Sequence, residues 1–374
     1  MTIMTMFYTR VESTQRISWT FMCTGIAAII ASFTSFGVAH TNATARPHRW
    51  QWFMIIVSIL SVVLSTLYFW RMPDNPATAR FLNEQEKVNV VKRIRINQNG
   101  IEAKVWKRYQ FIEALTDPKT WLFFLFSGVS SLVRGTGLVF NLIIKQFGYN
   151  TLQTTALSIP IGVASVTAIT IGTIAIKYFP NSRSILGMFG FLPGFISSFV
   201  LIFLPWEDKT GLLIAFYLIF TYSLGFAMIL SLVAVVFAGQ TKKMTCNAIF
   251  LVKWRPPNSG KKSTVLATPF RGPSSWYARF LSTLRSPTKL SHAGPRHHQQ
   301  AGFACDILII SVIRWYLVRE NKRRGAEKLA SGEEYEEFGF VEHVQDDGSV
   351  VKLKVPIQVL DITDLENKGF RYPL

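Results

Sequence analysis

Charged residues and cysteine are both scarce in this 374-residue sequence. Charged residues make up 17% of the chain and hydrophobic residues 49%, including 30 Phe and 10 Trp, whereas about a quarter of a typical soluble domain is charged. Cys23, Cys246 and Cys305 are far apart and lack CxxC spacing, so they imply neither a disulfide framework nor a zinc site. The composition excludes an ordinary soluble globule and a disordered chain.

Acidic residues are fewer than basic ones, and the imbalance is local. The chain has 22 Asp and Glu against 40 Lys and Arg, a net charge of +18, which by itself is typical of proteins that bind nucleic acid or anionic membranes. Half of the surplus lies in residues 253–300, which contain nine basic residues, six prolines and no acid. Because half of the excess lies in this one stretch, the net charge is not a property of the whole chain, and we predict no nucleic-acid partner.

Long apolar runs dominate the rest of the chain. Six segments are long enough to cross about 30 Å of hydrocarbon as helices of roughly 20 residues. They lie near residues 17–38, 52–70, 121–144, 152–176, 184–204 and 211–238. Arg134 is the single charged residue among them, and they contain no Asp, Glu or His. Soluble helices of this length would have a polar stripe, so we predict an all-α membrane protein.

Lys and Arg are distributed unequally between the two sides of these spans. One set of alternate connections has 16 basic residues and the other has four. The richer set comprises residues 1–16, 71–119, 177–183 and 239–245. The poorer set comprises residues 39–50, 145–151 and 205–210. Because loops rich in Lys and Arg stay in the cytoplasm, we predict that the richer set is cytoplasmic, with a charged surface helix in its central loop.

The segments divide the chain into six parts. These are two spans in 1–72, a cytoplasmic central loop in 73–119, further spans in 120–252, the basic Pro-rich stretch 253–300, a short apolar helix in 301–318 and a cytoplasmic tail in 319–374. Seven spans would leave the basic sequence RENKRR outside, against the charge rule. We therefore expect one crossing to be missing within 245–300. The tail is expected to be a loosely ordered cytoplasmic appendage.

Several stretches resemble, in order, one family of membrane proteins. They are FYTRVESTQRI, RMPDNPATARFLNEQEK, LQTTALSIPIG, KYFPNSRS, AGQTKKMTCNAIF and DITDLENKGFRYPL. They are similar to the major facilitator superfamily, and within it to the fungal anion:cation symporters of the allantoate permease type. The resemblance implies a partial bundle: the last two helices of the N-terminal bundle and most of the C-terminal bundle. It also implies an N-terminal truncation, with an aberrant stretch, a translated intron or shifted frame, replacing the eleventh helix.

The resemblance implies a secondary active transporter in the plasma membrane. Such a protein would carry a small organic anion, for example allantoate, another ureide or a vitamin-like carboxylate, by alternating access across the lipid bilayer. A proton would be the coupling ion, and the chain would have no enzyme activity, cofactor or metal. The alternative is a truncated membrane remnant that does not transport.

Arg134 is the strongest candidate for substrate binding. It lies inside a predicted span, where an ionisable residue is a functional candidate, and Gly135 and Gly137 leave room beside it. Its guanidinium could bind a carboxylate through two hydrogen bonds. The alternative is that it pairs with a backbone carbonyl, extends towards the membrane surface, or reflects relaxed selection in a damaged copy of the gene.

Three neutral residues could line the same cavity: Asn141, Tyr217 and Tyr222. Each could donate a hydrogen bond to the substrate, and the alternative for each is a contact between helices or an interfacial aromatic position. The turn 177–183 resembles the basic gate loop of the family, so the resemblance implies gating roles for Lys177 and Arg183. The family pattern has an acid near the start of this turn, and this sequence has none.

Proton coupling has no candidate in the six spans, because they contain no carboxylate or imidazole. Asp306 lies at the edge of the last short apolar segment, which makes it a poor choice. We therefore expect the proton-carrying group of the family to lie in helices that this chain lacks.

Overall fold

The computed structural model describes most of the membrane domain. The described residues are Tyr8, 10–41, 46–71, scattered positions between 83 and 90, 106–179, 181–205, 208–251, 294–331, 338–344, 350–356, 362–367 and 369–374. The surface helix predicted in the central loop, and most of the basic stretch 253–300, lie outside the described residues. Several side chains within one long helix, including that of Arg134, are also outside them.

The described chain is almost entirely helical, which confirms the predicted fold class. The helices are α1 Arg10–Ala39, α2 Arg49–Arg71, α3 Arg108–Thr116, α4 Pro118–Gln146, α5 Thr151–Leu157, α6 Ile159–Tyr178, α7 Arg183–Phe203, α8 Lys209–Ile219, α9 Tyr222–Val236, α10 Gln240–Leu251 and α11 Gly294–Ser331. Helices are expected here because a backbone in hydrocarbon must satisfy its hydrogen bonds within the segment. One antiparallel hairpin, β1 Phe338–Val344 with β2 Val350–Pro356, follows α11 and was not predicted.

Six helical stretches of the described chain are long and apolar enough to cross a membrane. They are Glu12–Ala39, Arg49–Arg71, Thr151–Tyr178, Arg183–Phe203, Lys209–Val236 and Gln300–Ala330. Five of them coincide with predicted spans, and the predicted span 121–144 lies within α4. The sixth differs from expectation: the predicted short helix of 301–318 is part of α11, which has 38 residues. The first and last turns of α11 are polar, so the apolar run in the sequence is shorter than the helix.

Close contacts between helices depend on glycine. A Cβ built on Gly162 of α6 would lie 2.5 Å from Ile29 Cγ1 and 2.7 Å from the carbonyl oxygen of Gly25, both on α1. A Cβ on Gly190 of α7 would lie 2.5 Å from the backbone nitrogen of Gly225 on α9. Small residues let membrane helices approach backbone to backbone, so these glycines set the packing of α1 on α6 and of α7 on α9.

Aromatic side chains fill the centre of the bundle. Phe126 of α4 packs against Phe191 of α7 and Phe250 of α10, with ring centroids 6.0 and 6.4 Å apart, and Phe191 packs against Phe303 of α11. In contrast, α2 buries none of its residues. Exposed apolar side chains on such a helix are expected where lipid, not water, surrounds it.

The last residues of the chain fold against the bundle. Asp364, Phe370 and Tyr372 are buried beside the first turns of α4 and α10 and the last third of α11. We call this region the charged end, defined by Lys119, Lys242, Arg183, Arg324 and the docked residues 362–367 and 369–374. The expectation of a loosely ordered tail is wrong for these residues, because Arg324 and Asn321 of α11 bind their backbone.

Candidate functional site: paired helix breaks and the charged end

Two of the spans are interrupted, and the interruptions lie side by side. The first lies between α5 and α6 at Ser158, two residues before Pro160, which has no N–H to donate and whose ring excludes the carbonyl of the preceding turn. The second, between α8 and α9, is a tight turn at Phe220 and Thr221 with i to i+3 hydrogen bonds. We call Ser158 and the Phe220–Thr221 turn the paired helix breaks.

Side chains connect the paired helix breaks. The hydroxyl of Tyr217 donates to the carbonyl of Leu157 at 2.9 Å, and the hydroxyl of Ser165 donates to the carbonyl of Phe220 at 3.4 Å. Phe140 of α4 packs against both Tyr217 and Phe220, with ring centroids 6.2 Å apart in each case. The breaks therefore form one site, lined by α4, α5 and α8.

The predicted substrate residues lie around this site in different ways. Tyr217 forms a helix–helix contact, as the alternative interpretation held, while Tyr222 lies beyond the break with its ring 6.4 Å from that of Phe220. Asn141 is exposed. Arg134 is on α4, 16 residues or about 24 Å from the first residue of that helix, and its side chain lies outside the described residues. Substrate contact by any of the four stays a prediction.

A buried cluster of opposite charges joins helices at the charged end. The ammonium group of Lys242 lies 2.8 Å from Glu113, 2.9 Å from Asp117 and 2.8 Å from Asp364. The ammonium group of Lys119 lies 3.3 Å from Asp117 and also contacts Asp364 directly. Two cations thus share three carboxylates, which is how buried charges offset the cost of leaving water.

Tyr372 completes the cluster. Its hydroxyl accepts from Lys119 at 2.8 Å and donates to Asp364 at 2.8 Å. Burial would by itself raise the pKa of Asp364, but Lys119 and Lys242 favour the carboxylate and lower the pKa to about 2. Burial and the adjacent Asp364 raise the pKa of Tyr372 above its ordinary value. At neutral pH the carboxylate is therefore ionised and the phenol protonated.

Arg324 holds the docked backbone in place. Its guanidinium donates to the carbonyls of Asp364, Asn367 and Phe370 at 3.0, 3.2 and 3.1 Å. The side chain of Asn321 both donates to the carbonyl of Tyr372 and accepts from its N–H, at 2.8 and 2.9 Å. Sequence reasoning missed this site, although the basic cluster RENKRR directly before a long acidic tail was a signal that it could have used.

The two predicted gate residues have different environments. Lys177 is exposed at the end of α6. Arg183 is only 3% exposed, and its backbone N–H donates to the carbonyl of Leu374 at 2.9 Å. Arg183 therefore meets the last residue of the chain, which the sequence did not indicate, and a gating role for either residue stays a prediction.

Asp306 has a different position from the one expected. Because α11 begins at Gly294, Asp306 lies within the candidate span Gln300–Ala330, not at its edge, and it is fully buried. The hydroxyl of Ser130 on α4 donates to Asp306 Oδ1 at 3.0 Å. Within the described part of the chain, no group of three or more His, Cys, Asp or Glu side chains is arranged to hold a metal ion.

Residues 1–245 match the family model described as Major Facilitator Superfamily. The chain belongs to the Major Facilitator Superfamily. Its relatives include an uncharacterized transporter of Schizosaccharomyces pombe, which is 30% identical over 99% of this chain and 62% of the relative. Allantoate permease of Saccharomyces cerevisiae is 28% identical over all of this chain and 64% of the relative. A high affinity cysteine transporter of the same yeast is 27% identical over all of this chain and 68% of the relative.

These relatives place the chain in a family of membrane transporters. The chain spans less than two thirds of the length of the first two relatives. Its apolar helices and its family together make this Major Facilitator Superfamily member an integral membrane protein.

Proposed function

We propose that this chain acts in secondary active transport of a small organic anion across the plasma membrane, by alternating access and with a proton as coupling ion. The observation that carries the proposal is the alignment of the whole chain with allantoate permease and with a cysteine transporter. Both named substrates have a carboxylate, so a carboxylate is the common element that the binding site would recognise.

Arg134 is the residue that we assign to the anion. A guanidinium at the centre of a membrane helix costs about 2.5–3.5 kcal/mol, and a bound carboxylate offsets that cost through paired hydrogen bonds. Tyr217 and Tyr222 flank the Phe220–Thr221 turn, and Asn141 follows Phe140, whose ring packs against Tyr217 and Phe220. Breaks in membrane helices leave backbone groups that can bind polar substrates, which supports this region as the substrate site.

The charged end would face the cytoplasm. Basic residues concentrate on the cytoplasmic side of membrane proteins, and Lys119, Lys242, Arg183 and Arg324 all lie at this end. The central loop precedes α3 and α4 and would lie on the same side. Arg183, which contacts the docked terminus, and Lys177 would then border the inward opening as gating residues.

An uptake assay tests the proposal. The purified chain is reconstituted in liposomes, an inward proton gradient is imposed, and radiolabelled allantoate and cysteine are supplied separately. We expect uptake of at least one of them, and its loss in Arg134→Gln. Lys145→Gln, an exposed basic residue farther along α4, is the matched control and should transport normally.

Two results would contradict the proposal. Equal uptake by Arg134→Gln and the parent chain would remove Arg134 from the substrate site. No uptake of either carboxylate by a correctly folded, reconstituted chain would favour the alternative, a membrane protein that does not transport.

A further inference from the structure

Asp306 is a carboxylate inside the membrane domain. It is fully buried in α11 and accepts a hydrogen bond from Ser130. The other carboxylates of the six candidate spans, Glu12, Glu320 and Glu327, lie in the first turn of α1 or near the charged end. Asp306 is therefore the one carboxylate in the interior of these described spans.

The depth of Asp306 follows from its neighbours. Ser130 lies 12 residues after the first residue of α4, which is about 18 Å along the helix axis. Gln300, six residues before Asp306, donates to the carbonyl of Ser198 near the opposite end of α7. A hydrocarbon layer of about 30 Å thus has Asp306 well inside it, far from both surfaces.

A carboxylate at this depth has two stable forms. It can be protonated, or it can be ionised beside a cation, because an ionised carboxylate without a counter-ion is too costly in hydrocarbon. The hydrogen bond from Ser130 supports either form but does not supply a charge. Which form prevails then depends on pH and on the nearby charged groups.

Few charged groups face this position from the helices that pack on α11. Helix α7 has only Arg183, at the charged end, and α4 has Lys119 at the charged end, Lys145 in its last turn and Arg134. On α11 itself the titratable residues within ten positions of Asp306 are Arg296, His297, His298, Cys305, Arg314 and Tyr316. Arg134 follows Ser130 by four residues, which is one helical turn or about 6 Å.

We propose that Asp306 is the proton-binding site of this transporter. A proton that adds to a carboxylate oxygen of Asp306 from the outer side forms an O–H bond and neutralises the carboxylate. Release of that proton to water on the inner side restores the carboxylate. This inference rests on the proposed function, because it assigns the coupling ion to a residue.

The first test measures protonation without transport. Infrared difference spectra between low and high pH are recorded on the full chain in lipid bilayers, with aspartate carbon-13 labelled at the side chain. We expect the carbonyl band of a buried protonated Asp, absent in Asp306→Asn and present in the control Asp208→Asn. A band that persists unchanged in Asp306→Asn would overturn the assignment.

A second variant changes the hydrogen bond to Asp306 with a smaller risk of misfolding. Ser130→Ala keeps the carboxylate but removes its hydrogen-bond donor, so we expect the same band with a shifted pH midpoint and unchanged helix content by circular dichroism. An identical midpoint in Ser130→Ala and the parent chain would contradict the contact on which the proposal depends.

The second test measures coupling. Asp306→Asn should retain substrate exchange between equal proton concentrations and lose the acceleration that an inward proton gradient produces. Gradient-driven uptake by Asp306→Asn equal to that of the parent chain would exclude Asp306 as the coupling site while leaving the proposed function intact. A parent chain that shows the Asp306 band but no uptake would instead refute the proposed function alone.

Discussion

Replacing Asp364 by Asn removes the carboxylate that faces both Lys119 and Lys242 at the charged end. Two ammonium groups would then share Asp117 and the partly exposed Glu113. Asn is nearly the same size as Asp, so the substitution changes charge with little change in packing. We expect the docked residues 362–367 and 369–374 to separate from the bundle more often.

The structure gives the size of the effect. The pKa of Asp364 falls from 3.8 to about 2 on folding, which corresponds to roughly 2.5 kcal/mol. Removing one member of a buried ion pair typically costs about 3–5 kcal/mol. A loss of roughly 2.5–5 kcal/mol in docking free energy would raise opening of the tail by about 70-fold or more.

Hydrogen exchange measures this opening directly. The N–H groups of Tyr372 and Phe370 are bonded to Asn321 and Asn367 in the docked tail, so their exchange rates report its release. Glu327→Gln, whose carboxylate lies 3.7 Å from an exposed arginine, is the control and should leave the rates unchanged. Equal exchange in Asp364→Asn and the parent chain would refute the reasoning.

The same residue predicts a pH dependence with a definite sign. Because the folded pKa of Asp364 is lowered to about 2, its contribution is complete above its unfolded pKa of about 4. It is lost as the pH falls from about 4 to about 2. Exchange at the tail amides, corrected for intrinsic rates, should therefore rise over this range in the parent chain. Asp364→Asn should lack this rise in exchange between pH 4 and pH 2. An identical rise in the variant and the parent chain would contradict the role of Asp364.

Two further predictions concern helix packing and the paired helix breaks. Gly162→Val should lower the stability in detergent by about 1–3 kcal/mol, because the valine side chain would clash with α1. Gly37→Ala is the control, since a Cβ at Gly37 has open space around it; equal melting temperatures of the two variants would contradict the close contact. Tyr217→Phe should cost about 0.6 kcal/mol through loss of the hydrogen bond to the α5 carbonyl, with the exposed Tyr178→Phe as control in the same melt. No difference between the two tyrosine variants would show that this bond does not stabilise the breaks.

Much of the membrane fold could be predicted from the sequence, because long apolar runs of about 20 residues form membrane-spanning helices in lipid. Five candidate spans match the predicted segments, and the predicted span around Arg134 lies in α4. The last helix was predicted too short, since its ends are polar and hydropathy does not detect them. That error also placed Asp306 at an edge instead of the interior.

The candidate site was less predictable. Tyr217 was identified as a polar residue of the right helix, but its bond to Leu157 depends on two breaks that are 60 residues apart in the chain. Propensity and periodicity describe neighbours in sequence. They carry no information on which carbonyl a break leaves free or which hydroxyl reaches it.

Helical structure and membrane residence can be inferred from the sequence alone, because uncharged apolar runs must satisfy their backbone hydrogen bonds within each helix. The partners of the few buried charges, in contrast, depend on the fold. Lys119 meets Asp364 across 245 residues, and Ser130 meets Asp306 across 176. The physical reason is that buried charged and polar groups need partners at short range, and folding brings those partners from parts of the chain that no local pattern connects.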